Sequence, residues 1–251
     1  MIRIIMCGCN GKMGRVISEL AAEDTQTKIV AGIDFNTEKH YDYPVFAAPA
    51  ECTVEADVMI DFSSPQKLTE RLAMAIDRKM PIVLCTTGLS EEQFAQVTEA
   101  SKRVAILRSA NMSLGINTIL KLAAAAAKVF SEANFDIEIV ERHHNHKVDA
   151  PSGTALAIAD AMNEVLHQEY TYKYDRSGER KPREKKEIGI SAVRGGTIVG
   201  EHEVVFAGTD EVIEIRHTAY SKAIFGNGAL QAAKFLAGKP AGLYQMSDVI
   251  G

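Results

Sequence analysis

Cysteine is scarce in this sequence. The four present are Cys7, Cys9, Cys52 and Cys85, and the first two stand too close together to close a stabilising loop, so nothing resembles a disulfide framework. No second cysteine pair exists to complete a thiolate metal site around Cys7-x-Cys9. Long apolar runs are missing too. None reaches the roughly 18 residues of a membrane span, and the apolar start MIRIIMCGCNGKMG is too short for a secretory signal core, with no small-residue cleavage site after it. Positive charge is in short supply, with 28 Lys and Arg against 33 Asp and Glu and a formal net charge of -5. That balance argues against bulk binding to nucleic acid or to an anionic membrane. There are no internal repeats. What remains, 46% hydrophobic and 24% charged residues over 251 positions, is the composition of one large globular domain or two modest ones. It is expected in the cytoplasm, with reduced thiols.

The first half alternates short apolar runs with helical patterns. Residues 2–7, 28–33, 58–62, 81–85 and 105–108 read as strands, and 12–23, 68–79 and 91–102 as helices between them. Strands alternating with helices of this length imply parallel βαβ units with right-handed crossovers. An alanine-rich helix follows at about 115–130, and then the pattern changes. Residues 135–140, 187–193, 201–207 and 211–218 read as strands with fewer helices between them, the pattern of a mixed or antiparallel sheet. One helix, 153–167, interrupts them, and 172–186 reads as a long charged loop. The change near residue 112 marks a domain boundary. The last helix, 227–236, is expected to return to the first domain, so that residues 1–112 and 223–251 form one domain and 113–222 the other. The fold class is α/β, a parallel-sheet domain followed by an α+β domain with a mixed sheet.

Gly8-Cys9-Asn10-Gly11-Lys12-Met13-Gly14 sits directly after the first strand and opens a helix. Its G-x-x-G-x-x-G spacing is a variant of the dinucleotide fingerprint, in which glycines let the backbone approach a pyrophosphate at a helix N-terminus. Asp34 ends the second strand, where a carboxylate can bind a ribose hydroxyl pair. Together they read as a cofactor site. Asp34 favours NADH over NADPH, and Phe35 rather than a cation follows it, although Lys39 is near enough in sequence to reach a phosphate. Three further strand ends, at Asp61-Phe62-Ser63-Ser64-Pro65, Cys85-Thr86-Thr87-Gly88 and Ser109-Ala110-Asn111-Met112-Ser113, face the same surface, beyond the carboxyl edge of the sheet. Each is equally compatible with ordinary turn chemistry.

The run from Glu141 to Thr154, ERHHNHKVDAPSGT, opposes the global charge, placing three imidazoles and two fixed cations within six residues. The strand before it, continued, puts His143 on one face and His144 and His146 on the other. Ser152 is placed to cap the helix that follows, and Gly153 leaves the mouth of that helix open. A helix mouth offers unpaired N–H groups and the positive end of the dipole. A small carboxylate could take hydrogen bonds from Ser152, Gly153 and Thr154, with Lys147 supplying charge. Zinc is the rival reading of the histidines, but no acidic or cysteine partner has a recognisable spacing, and no metal is expected. Another two-domain dehydrogenase, or a nucleotide-sensing protein without catalysis, would also account for the first half of the chain.

The motifs GCNGKMG, DFSSP, CTTG, SANMSLGIN, ERHHNHKVDAPSGTA, VRGGTIVGEH and KPAGLYQMSDV, spread over essentially the whole chain, together resemble the 4-hydroxy-tetrahydrodipicolinate (dihydrodipicolinate) reductase family. The resemblance implies a Rossmann domain closed by the C-terminal helix and a central substrate domain that also builds a homotetramer. It implies NAD(P)H-dependent reduction of a small cyclic dicarboxylate in lysine and diaminopimelate biosynthesis. By the same resemblance His143 is the acid that protonates the reduced substrate, Lys147 a second essential donor, and His144, Ser152, Gly153 and Thr154 the dicarboxylate contacts. Gly8, Cys9, Asn10, Gly11, Lys12, Met13, Asp34, Cys85, Thr86, Thr87, Ser109, Ala110, Asn111 and Met112 correspond to cofactor contacts. Cys85 stands where the family commonly has Gly, Phe35 where many members have Arg, and Tyr220-Ser221-Lys222 near a position often held by Arg.

Overall fold

The computed structural model describes residues 1–109 and 111–251. In chain order its elements are β1 (Ile2–Cys7), α1 (Lys12–Glu23), β2 (Thr27–Ile33), β3 (Val45–Phe46), β4 (Val58–Asp61), α2 (Leu68–Asp77), β5 (Ile82–Leu84), α3 (Glu91–Ser101) and β6 (Ala105–Arg108). There follow α4 (Leu114–Glu132), β7 (Asp136–His143), α5 (Gly153–Val165), β8 (Thr171–Lys173), β9 (Glu187–Arg194), β10 (Gly200–Ala207), β11 (Val212–Ala219), α6 (Ala223–Leu236), β12 (Gly242–Tyr244) and α7 (Met246–Val249). Two compact units result: Met1–Leu114 with Ala223–Gly251, and Gly115–Lys222.

The first unit is a seven-stranded parallel sheet in the order β12-β6-β5-β4-β1-β2-β3. The run Ile4-Ile5-Met6-Cys7 is apolar at every position because both faces of the sheet are covered. Ile4 and Met6 join Ile17 and Ala21 of α1 and Ala229, Ala233 and Leu236 of α6 on one side. Ile5 and Cys7 join Leu72 and Ala75 of α2 and Val97 and Ala100 of α3 on the other. Glycine sets how closely α6 approaches: a Cβ on Gly228 would stand 1.7 Å from the Met112 carbonyl oxygen, and one on Gly226 2.8 Å from Leu20 Cδ1.

The second unit is a mixed five-stranded sheet, ordered β11-β10-β7-β9-β8. β10 runs antiparallel to β7 and β11, and β9 parallel to β7 and β8. One face is apolar, with Ile137, Ile139, Ile188, Ile190, Val204 and Phe206 packed on Ile119, Ala123 and Ala127 of α4 and Ala155, Ile158, Ala159 and Met162 of α5. By length and composition α4 meets the requirements of a membrane-crossing helix, but its small-residue stripe is buried against this sheet.

The structure departs from the sequence reading in several places, with α6 beginning four residues before the expected 227 and α7 adding a helical turn that the pattern did not show. β7 runs three residues past 140, to His143, because Glu141, Arg142 and His143 pair with Ala192, Val193 and Arg194 of β9, a partner some fifty positions away. The segment expected as a loop over 172–186 begins instead as strand β8, paired through Thr171–Lys173 to β9. Three residues are too few to show a period against charged neighbours. Its remainder is tied down by Arg176 to Glu187 at 2.5 Å and Arg183 to Asp136 at 2.5 Å. The edge strands β3 and β12, of two and three residues, carry no pattern of their own.

Gly228→Ala forces a methyl group onto the Met112 carbonyl and is expected to destabilise the chain by about 1–3 kcal/mol. For a chain of this size that lowers the thermal midpoint by about 2–4 °C per kcal/mol. Circular dichroism at fixed protein concentration reads the shift, and an unchanged midpoint would show that the close approach is not required.

Candidate active site

The glycine loop is shaped by close approach. β1 ends at Cys7, and Gly8 turns the chain at φ +78°, a conformation that favours glycine, with its missing Cβ 2.9 Å from the Phe62 carbonyl oxygen. A Cβ on Gly14 would lie 2.1 Å from the Gly8 carbonyl oxygen, so no larger residue lets α1 begin this near the strand. Gly11 is the N-cap of α1 and offers no side-chain oxygen to the first N–H groups of the helix. Those donors and the helix dipole favour an anion.

Asp34 follows β2, buried, and accepts the Asn10 N–H at 2.9 Å and the Asn36 N–H at 3.2 Å. Asn10 in turn donates from Nδ2 to the carbonyls of Asn36 and Glu38, so the glycine loop and the loop after β2 are laced together. A cavity of about 390 Å³ opens here, lined among others by Gly8, Asn10, Gly11, Asp34, Phe35 and Lys67. Its wall at Ser63-Ser64 is fixed by a buried ion pair. Arg71 Nε meets Asp61 at 2.6 Å, Arg71 Nη2 donates to the Ser64 carbonyl at 2.6 Å, and the Ser63 hydroxyl donates to Asp61 at 2.5 Å.

The other expected cofactor residues are placed less uniformly. Cys9 turns its thiol into the core, against the backbone of Gly32, so only its main chain belongs to the loop. Burial pushes its thiol up to about 11 and holds those of Cys7 and Cys85 well above the ordinary range. Lys12 and Met13 begin α1 outside the lining of the cavity. Cys85 is half-buried against the core, Thr86 is buried with no partner for its hydroxyl among the described residues, and Thr87 is exposed. Ser109 donates to the Asn111 carbonyl at 3.0 Å, and Met112 is buried. Ala110 lies outside the described residues.

The second unit concentrates its chemistry at the carboxyl end of β7. Alternation places Glu141 and His143 on the face that carries Ile137 and Ile139, so both are drawn toward the core. Register then supplies partners: His143 lies opposite Arg194 on β9, and Glu141 opposite His202 on β10. Glu141 has no exposed surface. One of its oxygens meets His143 Nδ1 at 2.5 Å and Arg194 Nη1 at 2.8 Å, and the other meets Arg194 Nη2 at 2.6 Å and the Ser152 N–H at 3.0 Å. Burial alone would push this carboxyl up, but the Arg194, His143 and Ser152 donors hold it below the usual carboxylate range.

Ser152 is the N-cap of α5, accepting the Ala155 N–H at 3.2 Å, and its hydroxyl also meets His202 Nε2 at 3.1 Å. Burial, aided by the nearby His143, drives His202 down to about 4. A Cβ on Gly153 would meet nothing within 4 Å, so the helix mouth is open beside the cap. One on Gly200 would stand 3.1 Å from His143 Nε2, so glycine there leaves room at that nitrogen. Lys147 pairs with Asp149 at 2.8 Å and holds that carboxyl below its ordinary range. His144 keeps a buried Nδ1 without a partner among the described residues, and its ring stands 6.5 Å from that of His146. Among the described residues no group of three His, Cys, Asp or Glu side chains could hold a metal ion.

The structure thus gathers His143, Ser152, Gly153 and Thr154 around one helix mouth, with His144 and Lys147 in the loop between strand and helix. Sequence reasoning missed Glu141, Arg194 and His202. A period of two counted back from His143 would have found Glu141, but Arg194 and His202 reach the site through strand pairing across fifty and more positions.

Comparison with known proteins places these features in context. The family described as "Dihydrodipicolinate reductase, N-terminus" matches residues 2–112, and "Dihydrodipicolinate reductase, C-terminus" matches residues 115–250. The chain is 55% identical to a 4-hydroxy-tetrahydrodipicolinate reductase of Caldanaerobacter subterraneus subsp. tengcongensis, covering 100% of this chain and 98% of that one. It is 48% identical to the enzyme of the same name from Clostridium tetani, covering 100% and 97%. Among solved structures it resembles the dipicolinate-bound dihydrodipicolinate reductase of Paenisporosarcina sp. TG-14, with a TM-score of 0.82 at 26% identity over 98% of this chain and 97% of that one.

Folded His202 stays neutral down to a pH of about 4, whereas an unfolded histidine takes up its proton near 6.5. The unfolded chain therefore binds more protons between those values, and stability falls as the pH drops through that window, by up to about 3 kcal/mol. His202→Gln keeps an amide beside Ser152 but does not titrate. Its urea midpoint is expected to fall less than the parent's between pH 7 and pH 4.5, and equal falls would show that His202 is not held neutral by the fold.

Proposed function

The chain belongs to the dihydrodipicolinate reductase family, and from that premise we propose that it reduces 4-hydroxy-tetrahydrodipicolinate to tetrahydrodipicolinate for lysine and diaminopimelate biosynthesis. It is an NAD(P)H-dependent oxidoreductase. The observation that carries the assignment of roles is the helix mouth at Ser152-Gly153-Thr154, with His143 held beside it and Lys147 in the loop before it.

The first unit fits a dinucleotide. A Cβ at Gly8 or Gly14 would close the cradle, the first N–H groups of α1 have no side-chain cap and suit an anion, and Thr86 keeps a buried hydroxyl for a partner outside the chain. Gly8, Asn10 and Gly11 would hold the pyrophosphate, Asp34 the adenine ribose, and Thr86, Thr87 and Asn111 the nicotinamide end. When bound, the cofactor supplies a hydride. With Asp34 at the ribose and Phe35 in place of a cation, NADH is used at least as well as NADPH.

The second unit orients and protonates. The Gly153 and Thr154 N–H groups and the Ser152 and Thr154 hydroxyls hold a substrate carboxylate, with Lys147 turning from Asp149 to add a charge-assisted bond. His144 brings a further ring nitrogen to the same dicarboxylate. His143, tied through Nδ1 to Glu141, gives a proton from Nε2 to the reduced ring. No metal takes part in this account. The protein works in the cytoplasm as a homotetramer built through the second unit.

His143→Ala is expected to lower kcat by about 10²–10⁴-fold with KM little changed, the range typical of general acid catalysis. Lys147→Met is expected to weaken dipicolinate binding by roughly 1.5–3 kcal/mol. Steady-state assays with freshly condensed pyruvate and aspartate semialdehyde, and calorimetry with dipicolinate, read the two. A raised KM at unchanged kcat removes His143 from the acid role, and unchanged affinity removes Lys147 from carboxylate binding.

Asp34→Ala is expected to lose efficiency with NADH and to gain it, relatively, with NADPH, because a carboxylate that bonds ribose hydroxyls repels a 2′-phosphate. Comparing kcat/KM for both cofactors in both proteins reads the switch. A strong NADPH preference in the parent protein would assign the ribose pocket to another residue.

A further inference from the structure

Glu141 and Arg194 form a buried carboxylate–guanidinium pair that also takes the Ser152 N–H and the His143 ring. We infer that they are a positioning pair that fixes His143 as its Nδ1–H tautomer and confines the transferable proton to Nε2. The inference rests on the role proposed above for His143 and deepens it.

An ionised carboxylate accepts hydrogen bonds and cannot donate them. Glu141 is wholly buried, and its two oxygens receive Arg194 Nη1, Arg194 Nη2 and the Ser152 N–H, three donors that cannot reverse their roles. The remaining contact, at 2.5 Å, is to His143 Nδ1. That nitrogen must therefore carry hydrogen in both the neutral and the charged ring. Only Nε2 is left to gain or lose a proton, and it lies on the side where Gly200 leaves room.

The charges are balanced as well as placed. Glu141 brings a wholly buried negative charge against the ring. Arg194 neutralises that carboxylate from β9 and is held in turn by the Asp149 carbonyl at 2.7 Å. The other groups facing His143 are His202 from β10, which burial keeps neutral down to about 4, Ser152 at the start of α5, and the Lys147–Asp149 pair in the loop. The His143 ring thus stands against one anion on its own strand, itself paired with one cation on the next.

Removing either partner should move His143 in opposite directions, which general loosening of the fold cannot do. Glu141→Gln removes the anion, leaves Arg194 uncompensated and lowers the titration midpoint of His143. It also lets the ring populate the Nε2–H tautomer, since an amide both donates and accepts. Arg194→Gln leaves the anion alone and raises the midpoint. Both are read by ¹⁵N NMR of the full chain labelled at histidine, with His143 assigned from the resonance lost in His143→Ala. In Glu141→Gln, kcat should also fall on the order of 10²-fold, as for other losses of reactive-group orientation, with KM within a few-fold of the parent. If Glu141→Gln does not fold, Glu141→Asp, which keeps the charge but withdraws it by one methylene, should give a smaller downward shift by the same measurement. A parental tautomer and midpoint in the Glu141 variants, or shifts of the same sign in Glu141→Gln and Arg194→Gln, overturns the inference. A shifted tautomer with unchanged kcat upholds the positioning pair and overturns instead the acid role of His143.

Discussion

A carboxylate with no access to water must have its acceptors filled by protein, and at Glu141 that requirement organises the second unit. Its donors come from three directions: the ring two residues along its own strand, the guanidinium of Arg194 on the neighbouring strand, and the main chain at the start of α5. Satisfying one residue therefore fixes how far β7 extends, where β9 ends and where α5 begins. The imidazole beside it inherits that rigidity. In the acid role proposed for it, a ring placed by packing rather than by its own flexible chain needs no reorganisation when substrate arrives.

The first unit solves its problem by omission. Its loop works because side chains are missing at Gly8 and Gly14, where backbone meets backbone at distances no Cβ allows. Asp34 is then held by the very loop it faces, through the Asn10 N–H, so the carboxylate proposed to read the ribose is set before any ligand binds. The buried Asp61–Arg71 pair does the same for the opposite wall. Pairs of this kind contribute little net stability, but removing one partner leaves the other as an uncompensated buried charge.

Much of this was legible along the chain. The strands and helices of the first unit follow from apolar periodicity, since a parallel sheet covered on both faces writes itself as short, fully apolar runs such as Ile4 to Cys7. Gly8, Gly11, Gly14 and Asp34 announced a cleft by spacing, and Ser152 announced a cap by its place before an apolar helix. The edge strands β3, β8 and β12 were not legible, because two or three residues hold no period and exist only through their neighbours.

By itself the sequence determined the local terms: which segments are helical or extended, which turns need glycine, which helix mouth stands open, and that three histidines and two cations are neighbours. These depend on residues within a few positions of one another. Only the tertiary structure decided that Cys9 faces the core, that β7 reaches His143, and that Arg194 and His202 stand on either side of Glu141. Strand register joins positions some fifty apart, and it is set by the packing of Ile137, Ile139, Val204 and Phe206 on α4 and α5, not by anything written near the site.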